Sequence, residues 1–226
     1  MASPLTIQPD AAAGKDAHIS SSAPTTNYGT ATGFWVGDTD AAASNATRSL
    51  LAFDLSGIPP GATITSATLS LWEYSAQSNG PASWAAELRR VLRNWVEAEA
   101  TWNNYSTAGG AWATAGCSNA TDRVAAASAS LTLDATAAGA FVSWSGAGLV
   151  ADVQAWVDGT ASNYGWLLSA PTAELLGAAQ VTRNSFYSSD WTTDAAQRPK
   201  LVIEYTGGGT VPVNLLRTHI LAQGVV

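Results

Sequence analysis

Residues 65–74 read TSATLSLWEY, and their alternation constrains the fold more than any other feature of the chain. Ala67, Leu69 and Leu71 fall on one face, and Thr68, Ser70 and Trp72 on the other. Successive side chains of a strand point to opposite sides, so this segment reads as a strand with one buried face. RSLLAFDL (48–55) is a second strong strand, and the turn SGIPPGATI (56–64) between them carries two prolines that cannot donate to a ladder. Shorter strand-like runs are LTIQ (5–8), AHIS (17–20), FWVG (34–37), WAAELRRVLRNW (84–95), YGWLLSA (164–170), VTRNSFYS (181–188) and PKLVIEY (199–205). One segment departs from this pattern. In GLVADVQAWVDG (148–159), Leu149, Val150, Val153, Trp156 and Val157 share one face at helical spacing, and Gly159 stands where a C-terminal cap belongs. About ten to twelve short strands hide their edges by closing a barrel or doubling the sheet. The expected fold is all-β, a jelly-roll-like β-sandwich over residues 1–206 with one short surface helix. A glycine linker and an extended apolar C-terminal tail occupy 207–226.

Composition narrows the function. Charged residues are 12% of the chain, about half the usual ~25%, and the formal net charge is −7 with no run of Lys or Arg. Nucleic acid and anionic membrane surfaces are therefore not expected partners. No stretch approaches the ~18 apolar residues of a membrane span. The single cysteine, Cys117, cannot form an internal disulfide and has no Cys or His near it in sequence to make a metal site. The opening MASPLTIQPD lacks the basic and apolar regions of a secretory signal.

RSLLAFDLSGIPPGATITSATLSLWEY (48–74) resembles the opening core of the DNRLRE-type domain, a β-sandwich family. NWVEAEATWNN (94–104), GAWATAG (110–116), ADVQAWVDGTASNYGWLLSA (151–170) and RPKLVIEY (198–205) resemble further family segments in the same order. The resemblance spans roughly residues 5–206. It implies a β-sandwich. It leaves function open, because members include carbohydrate-binding modules of secreted polysaccharide-active enzymes, cell-surface domains and phage structural proteins.

No nucleophile elbow, phosphate loop or zinc spacing is present, and neither His18 nor His219 adjoins a nucleophile–acid pattern. Glu97 and Glu99 could suggest a carboxylate pair, but at i and i+2 they would lie side by side rather than flank a substrate. The expected role of one Glu is to bond backbone amides or Arg at a turn, with Trp95 and Trp102 anchoring the segment. The chain reads as a non-enzyme with no cofactor. A Ca²⁺ ion held by Asp38 and Asp40 in the loop DTDAAASNAT is the one ion site the loop chemistry suggests; Asp10 and Asp16 lie near another turn. Ten tryptophans are many for 226 residues. Trp35, Trp72, Trp84, Trp144 and Trp191, with Tyr28, Tyr164 and Tyr187, are candidates for stacking on sugar rings. Trp191, Trp35 and Tyr187 are the preferred glycan-binding set, and Trp191 leads because it sits in the polar loop SSDWTTD.

The tail VPVNLLRTHILAQGVV (211–226) is short and apolar behind a flexible glycine run. Val211, Val213, Leu215, Leu216, Ile220, Leu221, Val225 and Val226 are expected to dock on a partner. With no secretory signal and no catalytic residues, the leading expectation is a virion structural protein, a phage capsid decoration or tail-associated domain. It would be found on the virion or outside the cell, attach to capsid or another virion protein through the tail, and form a homo-oligomer, by analogy a trimer. The alternative is a carbohydrate-binding module of a secreted polysaccharide-active protein, or a surface-layer or filament subunit. A polysaccharide partner is compatible with either.

Overall fold

The computed structural model describes residues 4–38, 45–136, 139–175 and 181–209. Strands β1 (Leu5–Ile7), β2 (Lys15–Ser20), β3 (Gly33–Asp38) and β4 (Ala46–Ala52) precede the longest strand, β5 (Ala62–Ser78). After β6 (Ser83–Arg90) the chain makes a long excursion that holds a small ribbon of β7 (Asn104–Ser106) and β8 (Gly110–Ala111). It returns through β9 (Ala129–Asp134) and β10 (Ala140–Ser145) to the helix α1 (Ala147–Val157). β11 (Trp166–Ser169), β12 (Thr182–Tyr187) and β13 (Lys200–Gly207) complete the described chain.

Eleven strands form one antiparallel sheet in the order β1-β13-β5-β12-β3-β4-β11-β6-β9, with β10 on the other edge of β5 and β2 on the other edge of β4. Two strands carry two neighbours on one edge. β5 pairs residues 62–70 with β13 and 73–78 with β12, while 68–73 pair with β10 opposite. β4 pairs 46–47 with β3 and 49–51 with β11. A strand of 17 residues is about three times the usual five to six, and register shifts at Ser185/Phe186 and Glu204/Tyr205 bend the sheet along it. The sheet curls until its inner faces meet. Trp144 Nε1 on β10 donates to the Ala86 carbonyl on β6 at 3.0 Å, and Asn184 Nδ2 on β12 donates to the Asp134 carbonyl on β9 at 3.1 Å. The all-β, sandwich-like architecture is the expected one.

Gly37 stands at the pivot, paired with Arg183 on one edge and Thr47 on the other. Its φ of 116° is open to glycine, and a Cβ there would lie 1.9 Å from the Thr182 carbonyl.

Two apolar clusters hold the sheet. The larger lies inside the curl and includes Phe34, Leu51, Leu69, Leu71, Trp144 and Trp166. The smaller lies on the outside of β2, β4 and β11, where Ile19, Leu50 and Leu167 are covered by Val91, Trp95, Trp112 and Cys117 from the excursion. Leu50 and Leu51 thus enter different cores, as do Leu167 and its neighbours Trp166 and Leu168. Strands buried on both faces read as continuous apolar runs, which is why RSLLAF and WLLS do not alternate. Helix α1 buries Leu149, Val153 and Trp156 in the larger cluster. Gly159, at φ 67°, closes it with an N–H bond to the Trp156 carbonyl at 3.2 Å.

The structure corrects several details. The strand expected over 84–95 ends at Arg90, and residues 91–95 already belong to the excursion. Trp84 and Trp144 are core residues, 4% and 1% exposed, and cannot meet a ligand. Val211, Val213, Leu215, Leu216, Ile220, Leu221, Val225 and Val226 lie outside the described residues.

Candidate functional site

The outer face of β5 carries Thr68, Ser70, Trp72 and Tyr74, since Ala67, Leu69 and Leu71 point into the core. The same parity puts Phe141 on the outside of β10, opposite Trp72, and Tyr187 on the outside of β12. On β3, Phe34 and Val36 face inward, which turns Trp35 outward. Backbone pleating alone therefore lines up a row of half-buried aromatic rings across four strands.

Contacts order the row. Trp72 and Phe141 meet edge to face with centroids 5.0 Å apart. Tyr74 stacks on Tyr187 at 4.6 Å, and Tyr187 stacks on Trp191 at 3.9 Å with the planes only 11° apart. The Trp35 indole N–H donates to the Tyr74 hydroxyl at 3.2 Å. His18 lies between Trp35, at 4.8 Å, and Tyr28, at 4.1 Å. The three preferred sequence candidates, Trp35, Tyr187 and Trp191, are thus brought together.

Their rings are not equally available. Tyr187 is covered on both faces by Tyr74 and Trp191. Trp35 stacks on His18 and has the Arg183 guanidinium 5.2 Å from its ring centre. Trp191 ends the stack and is braced from behind. Its indole N–H donates to Gln197 Oε1 at 3.2 Å, and its carbonyl accepts from Arg198 Nε at 2.7 Å. Burial pushes the His18 imidazole down to about 4, so it is neutral at pH 7 and behaves as another flat ring. Lys200 lies 3.7 Å over the Phe141 ring. Ser70 and Ser143 share a hydroxyl hydrogen bond of 2.8 Å beside Trp72 and Phe141.

Other sequence candidates fall elsewhere. Asp38 is buried at the end of β3, where its carboxylate accepts the Asn45 N–H at 3.1 Å; Asp40 lies outside the described residues. Glu97 and Glu99 sit in a turn rather than a strand. Glu97 accepts the Asp16 N–H at 2.7 Å and Glu99 the Thr107 N–H at 2.6 Å, so both bond backbone amides. Trp95 is fully buried, with its indole N–H on the Tyr164 carbonyl, and Trp102 and Tyr164 pack at the edge of the smaller cluster. Asp10 caps its own turn by accepting from Ala12 and Ala13.

Asp16, Glu97 and Asp190 form a carboxylate cluster beside the aromatic row. One oxygen from each lies within 4.8 Å of the others. Burial is the main cause that raises all three; the Asp16 carboxyl is pushed up to about 7. In the excursion, an open groove of about 530 Å³ is lined by Leu92, Arg93, Val96, Glu99 and Tyr105, with Leu92 and Val96 about 40% exposed.

An all-β sandwich with a row of aromatic rings outside its sheet has the makings of a module that holds flat, partly apolar ligands. The family comparison gives the class as a carbohydrate-binding module. The model of carbohydrate-binding module family 96 matches residues 8–124, just over half of the chain, and the chain belongs to that family. The matched segment contains His18, Tyr28, Trp35, Trp72 and Tyr74, whereas Phe141, Tyr187 and Trp191 lie beyond it. No curated protein matches the chain. The family match backs the alternative expectation, a carbohydrate-binding module. It lends nothing to a virion, capsid or oligomer role, and it supports the DNRLRE-type resemblance only as far as a β-sandwich linked to carbohydrate binding.

Proposed function

We propose that this protein is a non-catalytic carbohydrate-binding module that takes a polysaccharide along the outer face of β10, β5 and β12. The observation that carries this reading is the row Phe141–Trp72–Tyr74–Tyr187–Trp191, built of rings that belong to neither core. Sugar rings present C–H faces that pack on aromatic faces and hydroxyls that need polar partners. Trp191 and Trp72 supply the faces, while Ser143 and Lys200 supply polar groups beside them. Tyr187, Tyr74 and Trp35 act as the rigid support. Their faces are already covered, so they preorganise the platform and lower the ordering cost of binding. No hydrolytic role falls to the two glutamates in this reading: one oxygen of each accepts a backbone amide and ties the residue to its turn.

Affinity electrophoresis through gels holding a panel of neutral and acidic polysaccharides tests this. At least one polysaccharide should retard the protein, and Trp191→Ala and Trp72→Ala should each weaken retardation about tenfold or more, roughly 1.4 kcal/mol. Retardation that survives both substitutions but disappears with Leu92→Ala would move the site to the open groove and overturn the assignment.

A further inference from the structure

The carboxylate cluster at the foot of the aromatic row has properties that glycan stacking does not explain. It gathers residues from three separate parts of the chain: Asp16 at the start of β2, Glu97 in the excursion and Asp190 in the turn after β12. Asp16 is only 5% exposed. Its Oδ2 accepts the Ser189 N–H at 2.9 Å, and its other oxygen accepts nothing among the described residues. Glu97 uses Oε1 for the Asp16 N–H, and its Oε2 has no donor among the described residues. Among the described residues no hydrogen bond reaches the Asp190 carboxylate, and only its backbone N–H is bonded, to Ser188 Oγ. Three carboxylates thus converge, each with an uncommitted oxygen.

An independent observation points to a missing partner. Ser189 is 1% exposed, and its hydroxyl meets no aligned hydrogen-bond partner among the described residues. It lies beside the Asp16 carboxylate and favours its charged form. A buried hydroxyl without a partner is costly, and native structures rarely leave one so. Nearby cations do not fill the gap. Lys15 is drawn toward the face of Trp95, 4.3 Å from the ring centre, and Arg198 Nε is spent on the Trp191 carbonyl.

We propose that Asp16, Glu97 and Asp190, with the Ser189 hydroxyl, bind a divalent cation, and that the cation is Ca²⁺. The donors are all oxygen, as a hard cation requires. Oxygens on one Ca²⁺ sit 2.3–2.6 Å from the ion, so two of them are at most about 5 Å apart, and one oxygen from each carboxylate lies within 4.8 Å of the others. Four protein donors fall short of the usual six to eight, and water completes the shell. Mg²⁺ demands a near-ideal octahedron at about 2.0–2.1 Å and dehydrates reluctantly, so a site of protein carboxylates suits it less well. The ion ties β2, the excursion and the turn after β12 together. Since Asp190 precedes Trp191, it also steadies the end of the aromatic stack; that consequence rests on the glycan reading, whereas the ion site does not.

The test needs no glycan. Melting of the full chain is followed in EDTA and in CaCl₂ up to about 10 mM, with isothermal titration of Ca²⁺ alongside; a hundredfold excess over Kd should raise the melting temperature by roughly 5 °C. MgCl₂ should give a smaller rise. Asp190→Asn, at a half-buried position that leaves the fold intact, should melt in EDTA within about 2 °C of the parent and lose both the Ca²⁺ shift and the binding heat. Asp38→Asn should keep both. Absence of shift and heat in the parent protein would overturn the site. So would a shift that survives Asp190→Asn, or one lost instead with Asp38→Asn.

Discussion

Raising the pH from about 4 to about 8 should weaken this fold, and Glu73 is the group to isolate. It lies on the inner face of β5, only 1% exposed, with the Asn184 amide donating to its Oε1. Burial is the main cause that raises its carboxyl from 4.5 to about 7, Asn184 works against the rise, and Asp134 adds to it. The sign follows. The folded protein holds this proton at a pH where the unfolded chain has lost it. Stability from the group is therefore complete below about pH 4.5, falls as pH rises, and is gone above about 7. A gap of about 2.5 pH units corresponds to about 3 kcal/mol at 1.36 kcal/mol per unit; access to water at the sheet end trims this to roughly 2 kcal/mol. Glu73→Gln keeps an acceptor for Asn184 and cannot ionise. Urea unfolding of both proteins across this range removes by difference the shared titrations of Asp16, which has the same sign, and of His18, which has the opposite sign. The Gln variant should gain about 2 kcal/mol on the parent between the two ends. A difference that stays flat, or moves the other way, would show that Glu73 is not a buried acid in the folded protein.

Two further outcomes follow from the packing. Gly37→Ala places a Cβ 1.9 Å from the Thr182 carbonyl at φ 116°, and should cost on the order of 2–4 kcal/mol in chemical denaturation; a loss under about 0.5 kcal/mol would mean that the pivot can relax. Cys117 is fully buried, and its thiol is pushed up to about 12, chiefly by burial. It should therefore ignore a disulfide reagent in the native protein and react in full once denatured. Rapid reaction in the native state would refute its place under the excursion.

Much of the architecture was written in strand parity. The alternation of Ala67, Leu69 and Leu71 against Thr68, Ser70 and Trp72 holds as read, and one more step of two would have added Tyr74 to the outer face. Phe141 was hidden because β9 and β10 are flanked by alanine, serine and glycine, whose β preference is weak. Trp84 and Trp144 could not be told from ligand-facing tryptophans, because a large aromatic suits a core and a surface site equally. The second core under the excursion gave no periodic signal: Leu50 and Leu51 look alike in sequence and bury on opposite sides. The cluster of Asp16, Glu97 and Asp190 was invisible for a different reason. Its members are joined by topology across most of the chain, and no local spacing connects them.

The central claim is that a glycan lies on the outer aromatic face. The most direct measurement follows the indole N–H resonances of the ten tryptophans during titration with oligosaccharides cut from a retarding polysaccharide. Trp191 and Trp72 should shift most, while the buried Trp95, Trp144 and Trp166 stay fixed. Shifts confined to Trp102 and Trp112 in the excursion, with Trp191 and Trp72 unmoved, would contradict the account.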